Sequence, residues 1–265
     1  MTVATETRKA PVMTDVLTLT SPRSDLPVRR TAPSLPLLVG LEIRKSLSTR
    51  SGKALAVAAT LLGPAAAVIA SASSDEDLGS VTGPLSVMGL LTGYLLISLG
   101  VLSTAGEWSH RTVQTTYLLV PHRGRVLATK AVAVALIGAA LAALSTALTA
   151  GVLATMVDGV SWDGAGQAVG VVVAAGAAFA VIGAGVGAAL ANTPGALTGL
   201  YLVLLGVMPV LSNSKPELAE DLDPANAVLH LGMGEQGTQP IVVIAGWVVV
   251  STVAGWVLTH RRAVS

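Results

Sequence analysis

The charged side chains between long apolar runs concentrate in one stretch of the 265-residue chain, Glu107 to Lys130, EWSHRTVQTTYLLVPHRGRVLATK. It sets Arg111, Arg123, Arg125 and Lys130 against a single acid, Glu107. The chemistry these residue types offer is ion pairing and docking. Thr112 can cap a short helix, Val113, Tyr117 and Val120 fall at helical spacing, and Pro121 ends it. Gly124 then allows a turn before the next apolar run. One interpretation is a solvated hairpin held at lipid headgroups by its arginines. The sharper one is a docking element that takes force from a cytoplasmic partner. Glu107 ends an apolar helix, where the helix dipole disfavours an anion by about 0.3–1 kcal/mol, so it calls for a cation partner. Arg111 at i+4 is one candidate, and Arg44 or Lys45 are the others.

Catalytic chemistry finds no support. The chain has no cysteine, which excludes thiol catalysis and disulfides. His110, His122, His230 and His260 all fall outside the apolar runs or at their ends. No phosphate-binding G-x-x-x-x-G-K-[ST] loop exists, since Gly52-Lys53 is followed by Ala54 and lacks the preceding glycine. No nucleophile, base and metal ligands group together, so neither enzyme activity nor a bound cofactor or metal is expected, and nothing suggests nucleic acid as a partner.

The elements that position the charged stretch follow from composition. The chain is 52% hydrophobic and 12% charged, with mean hydropathy +0.72. About 20 apolar residues at 1.5 Å each cross a hydrocarbon core of ~30 Å. Six such runs occur, at about 54–72, 84–106, 131–156, 167–191, 196–211 and 241–258. The expected fold is therefore an all-α membrane protein with six transmembrane helices over 34–265. Residues 1–33 are rich in Thr, Pro and Arg and read as a disordered cytoplasmic tail with no signal-peptide pattern. Leu35 to Ser51 reads as an interfacial lead-in helix. Pro36 suits its start, Val39, Ile43 and Leu47 form a narrow apolar line, and Glu42 and Lys45 can pair one turn apart. Pro224 to Leu231 reads as a short extracellular helix before the last span. Pro64 should kink the first span.

In the second span, Ser86, Gly89, Gly93, Gly100 and Thr104 share one face within an arc of roughly 60–80°. Such a stripe admits another backbone closely, as plain helix packing, as a dimer face or as the wall of a substrate path. Gly176, Ala180, Gly183 and Gly187 make a second small face in the fourth span. With six spans, both termini share a side with every cation except Lys215, so both are expected in the cytoplasm. No span interior holds Asp, Glu, Lys, Arg or His, which weakens an ion-coupled mechanism. The two halves show no internal repeat, which argues against an inverted-repeat carrier.

Three stretches resemble the ABC-2 permease family. LEIRKSLSTRSG (Leu41 to Gly52) is similar to the family's lead-in helix, with Glu42, Arg44, Lys45 and Arg50 in place. In the central stretch, Glu107, Thr112, Pro121, Arg123 and Lys130 match the recurrent Glu, Thr, Pro, Arg and Lys of its first cytoplasmic loop, with Arg111 where many members have Gly. DLDPANAVLHL (Asp221 to Leu231) is similar to the segment before the last span. The resemblance implies two permease protomers in a bacterial cytoplasmic membrane and a separate nucleotide-binding ATPase subunit that carries ATP and Mg. It makes the central stretch a coupling helix, with Glu107, Arg111, Thr112, Val113, Tyr117, Pro121 and Arg123 as the docking set. It also implies export, and the apolar spans suit a hydrophobic or amphipathic solute or peptide. The other readings are a non-transporting sensor or immunity module, and an ion-coupled carrier.

Overall fold

The computed structural model describes residues 34–73, 79–109, 123–235 and 237–262. The chain divides into a leading unit, Met1–Ala32, which lies outside the described residues, and a unit Pro33–Ser265 that holds everything below. The described residues are almost wholly helical. Among the described residues nine helices follow in order: α1 (Leu35–Ser48), α2 (Arg50–Ser73), α3 (Thr82–Ser109), α4 (Arg123–Met156), α5 (Ala165–Leu190), α6 (Thr193–Ser214), α7 (Pro216–Leu222), α8 (Pro224–Gly232) and α9 (Gln239–Arg261). A single bridge, Ser80 to Ser161, ties the chain before α3 to the chain before α5.

Six of these helices, α2 to α6 and α9, are long and apolar enough to cross a membrane. Their outward side chains are apolar too: Ile69, Leu202, Val210, Val242 and Val250 are all more than half exposed. Such surfaces suit lipid, because a bilayer offers no penalty for exposed hydrocarbon. α2 runs through Pro64 as one helix, and Pro64 is buried.

α5 is the hub. It packs most extensively on α3 and also on α4 and α9. Small residues make this possible. Gly93 faces the Phe179 ring, Gly89 faces Val172, and Gly100 lies against the backbone of Ala180 and Ala184. In return, Gly183 lies against the backbone of Ile97, and Gly187 against Val101 and Thr104. The Thr104 hydroxyl donates to the Ala184 carbonyl at 2.9 Å. Ser86 meets Gly232 of α8. The whole stripe Ser86, Gly89, Gly93, Gly100 and Thr104 is thus covered by α5 and α8 of the same chain. A path or a dimer face along it would require that seam to open.

One sequence expectation is corrected by the structure. Residues 123–130 are not loop: α4 begins at Arg123, so Gly124 lies inside a helix rather than at a turn. The segment RGRVLATK is made mostly of good helix formers, and its Lys130 is neutralised, so the helix continues past the apolar run. The short helix expected at Pro224 to Leu231 stands as α8, and α7 precedes it. α7 and α8 form a hairpin that turns back into the bundle. The Trp247 indole, two turns into α9, donates to the Leu222 carbonyl at 2.8 Å. That places the turn at Leu222–Asp223 about 12 Å below the start of α9, at 1.5 Å per residue. The far end of the hairpin stays at the bundle's edge, where Gln167 donates to the Leu231 carbonyl at 3.0 Å.

α6 contains a π turn over Leu202–Val207. Its start is fixed by Asn192, whose side chain accepts from the Gly195 amide at 2.8 Å. The Tyr201 hydroxyl donates to the Tyr94 carbonyl at 2.7 Å and lies 2.6 Å from the Ser98 hydroxyl, joining α6 to α3.

Candidate functional site

The described residues that frame the central stretch meet in one buried ionic cluster. Glu107 is in the last turn of α3 and Lys130 in the third turn of α4, so the two stems of the connection 110–122 face each other. Lys130 Nζ donates to Glu107 Oε1 at 2.7 Å, to Glu42 Oε2 at 2.6 Å and to the Ser103 carbonyl at 3.3 Å. Lys45 of α1 pairs with the same Glu107 oxygen. Two carboxylates and two ammoniums therefore join three helices, and the charges balance.

Burial within the cluster is uneven, and that decides which members matter. The Lys130 and Glu107 side chains are 4% and 7% exposed, whereas Lys45 is 46% exposed. An exposed ion pair contributes about 0–1 kcal/mol. Removing one partner of a buried pair costs about 3–5 kcal/mol, because the other charge is left unpaired in low dielectric. Lys130 is thus the structural centre of the cluster, and Lys45 a rim member.

The helix that carries Glu42 and Lys45 has no fully buried residue. Ile43 and Leu47 pack against a core formed by α2 to α5, so α1 lies along the bundle on its narrow apolar line. Glu42 and Lys45 point into the cluster but pair outward, Glu42 with Lys130 and Lys45 with Glu107, instead of with each other. Arg44 and Arg50 are exposed. Of the cations weighed for Glu107, Lys45 is one partner. Lys130, which the sequence left among the loop cations, is the better buried one. Arg111, Thr112, Val113, Tyr117 and Pro121 lie outside the described residues, and Arg123 is described only as the first residue of α4.

The cluster separates two cavities of about 300 Å³ each. One is lined by Lys130, Thr104, Gly185 and Trp256 between α4, α5 and α9. The other is lined by Glu42, Lys45, Ser103 and Glu107 between α1, α2 and α3. At the same end, Arg262 donates to the carbonyls of Ala188 and Ala189 and sits 5.7 Å from the Trp108 ring centre. A cation on exposed helix-end carbonyls is favourable, so the ends of α3, α5 and α9 are also held together.

A second polar site lies at the turn of the α7–α8 hairpin. The Asp223 side chain caps α8, accepting from the Ala225 amide at 2.8 Å. Asp223 is 5% exposed. Burial pushes its carboxyl above the usual range, and the amides of Ala225 and Asn226 pull it partly back. The signals that mark it are the two prolines that start short helices on either side, Pro216 and Pro224, and Trp247 below.

Set against known proteins, the chain matched no family model and no curated protein. Among the described residues no group of three or more His, Cys, Asp or Glu could hold a metal ion.

Proposed function

We propose that this chain is the membrane-spanning subunit of an ATP-driven exporter of the ABC-2 type, working as two protomers with a separate nucleotide-binding ATPase. The ionic cluster carries this reading. The connection 110–122 is short and clamped at both stems, Arg123 and Arg125 follow it in α4, and the clamp reaches α1 as well. A displacement applied to it would be passed to α1, α3 and α4 together, since separating them would expose unpaired buried charges. A connection that only links two spans has no need of such a clamp. The chain itself carries no phosphate-binding loop, so the force must come from another polypeptide.

The cation distribution supports a cytoplasmic position for both described chain ends and the clamp under the positive-inside rule. The bacterial cytoplasmic membrane is the setting that fits, with a hydrophobic or amphipathic solute or peptide as cargo. An ion-coupled carrier is the second reading. One observation favours it: a buried carboxylate, Asp223, about 12 Å below the start of α9.

The test is co-purification of an ATPase with the chain from its native membrane, with Tyr117→Ala and Arg125→Glu compared. Tyr117 is the aromatic of the docking stretch, and such interface anchors carry ~2 kcal/mol or more. The expected result is an ATPase that co-purifies with the wild type, is lost or uncoupled in Tyr117→Ala, and is largely kept in Arg125→Glu. Equal recovery in Tyr117→Ala and wild type, or no ATPase at all, would reject the reading.

A further inference from the structure

We propose that the cavity between α3, α6 and the α7–α8 hairpin binds the ammonium group of an organic monocation, with Asp223 as its counter-ion. The cavity measures about 500 Å³ and is lined by Tyr94 of α3, by Leu204, Leu205 and Ser212 of α6, and by Asp223 and Asn226 of the hairpin. That volume lies within the range of small-molecule sites. Binding would be a property of this chain alone, and it stands or falls independently of any ATPase.

The chemistry follows from charge and depth. Tyr94 lies three turns into α3, and the neighbouring Leu222 is held by Trp247, two turns into α9. The carboxylate is therefore carried roughly 12–18 Å below the ends of those helices. An ionised group held among apolar helices is disfavoured unless it is paired. Among the described residues no Lys, Arg or His forms an ion pair with Asp223. Its hydrogen-bond partners are backbone amides of the helix it caps, Ala225 and Asn226.

The α6 wall adds apolar surface and uncharged polar groups, Leu204 and Leu205 beside Ser212 and Asn213. The π turn over Leu202–Val207 lies in the same wall, and such turns recur at functional sites. The Asn226 amide is 3.4 Å from the Ser212 hydroxyl, which closes one side with a polar contact. The sum is one negative charge, a few uncharged polar groups and an apolar wall.

That combination selects among ligands. A hard metal ion needs six or more oxygen ligands, with several carboxylates for strength, and only one carboxylate is offered here. An anion would meet Asp223 directly. A monocation with N–H donors and an apolar body satisfies the carboxylate and the leucine and tyrosine surface together.

The probe is rhodamine 6G, a lipophilic monocation, with fluorescence polarisation on the purified full chain in nanodiscs of zwitterionic lipid. Competition by hexylammonium is compared with hexanol, its neutral counterpart. Asp223→Asn removes the charge and keeps the helix cap, since Asn and Asp cap equally well. Asn213→Lys, at an exposed position on the cavity rim, brings a competing cation without touching the core. The expected result is saturable binding that hexylammonium displaces and hexanol does not, weakened at least tenfold in both variants. Wild-type-like affinity in either folded variant, equal displacement by hexanol, or no saturable binding to the wild type would each overturn the proposal.

Discussion

Replacing Lys130 by Met tests the clamp at its centre. Methionine matches the length of the stem and removes only the charge. The substitution leaves Glu107, 7% exposed, and Glu42, 15% exposed, without the ammonium that sits 2.7 and 2.6 Å from them. Breaking a buried pair costs about 3–5 kcal/mol. Lys45 still reaches Glu107, so the loss should fall near the lower end, about 3 kcal/mol. Lys45→Met removes a cation that is 46% exposed, and should cost no more than about 1 kcal/mol. Adding Glu42→Gln and Glu107→Gln to Lys130→Met removes the stranded charges and should restore a large part of the loss. The assay is unfolding by sodium dodecyl sulfate titration in bicelles, followed by tryptophan fluorescence. A Lys130→Met variant no less stable than Lys45→Met, or a triple variant worse than Lys130→Met, would refute the reasoning.

Gly100→Leu should destabilise by at least about 2–3 kcal/mol in the same assay, because its side chain would grow into the backbone of Ala180 and Ala184, which cannot move aside as a side chain can. Gly40→Ala in α1, where a Cβ meets nothing, should stabilise by about 0.5–1 kcal/mol; equal effects of the two would show that the α3–α5 seam is loose. A reporter at Glu220 should be reached from outside the cell and one at Arg125 from inside, and the reversed pattern would invert the topology.

The six long helices were legible because lipid demands unbroken apolar runs, and each expected run falls within or nearly within an observed helix. Helix ends were less legible where polar residues continue a helix. α4 starts eight residues before Ala131, since Lys130 is neutralised by partners far away in sequence, Glu42 and Glu107. Nothing in the local pattern distinguishes Lys130 from the other cations of its stretch. The small-residue stripe of α3 was readable as a packing face, but its neighbour was not: that α5 supplies Val172, Phe179 and Ala184 to meet it depends on topology. Asp223 was hidden for a similar reason. An acid beside a proline in a polar connection reads as solvated, and only the contact from Trp247 to Leu222 reveals that the connection turns inward.

The central claim is that α1, α3 and α4 move as one body under force from an ATPase. Electron–electron distance measurement reads this directly, and the chain has no native cysteine to remove. Spin labels at Leu41 of α1 and Leu136 of α4, both exposed, report on the clamped body, and labels at Leu136 and Val250 of α9 report on movement between bodies. In the complex with its ATPase, nucleotide binding should leave the Leu41–Leu136 distance unchanged and shift the Leu136–Val250 distance. A Leu41–Leu136 distance that changes with nucleotide, while Leu136–Val250 stays fixed, would contradict the account.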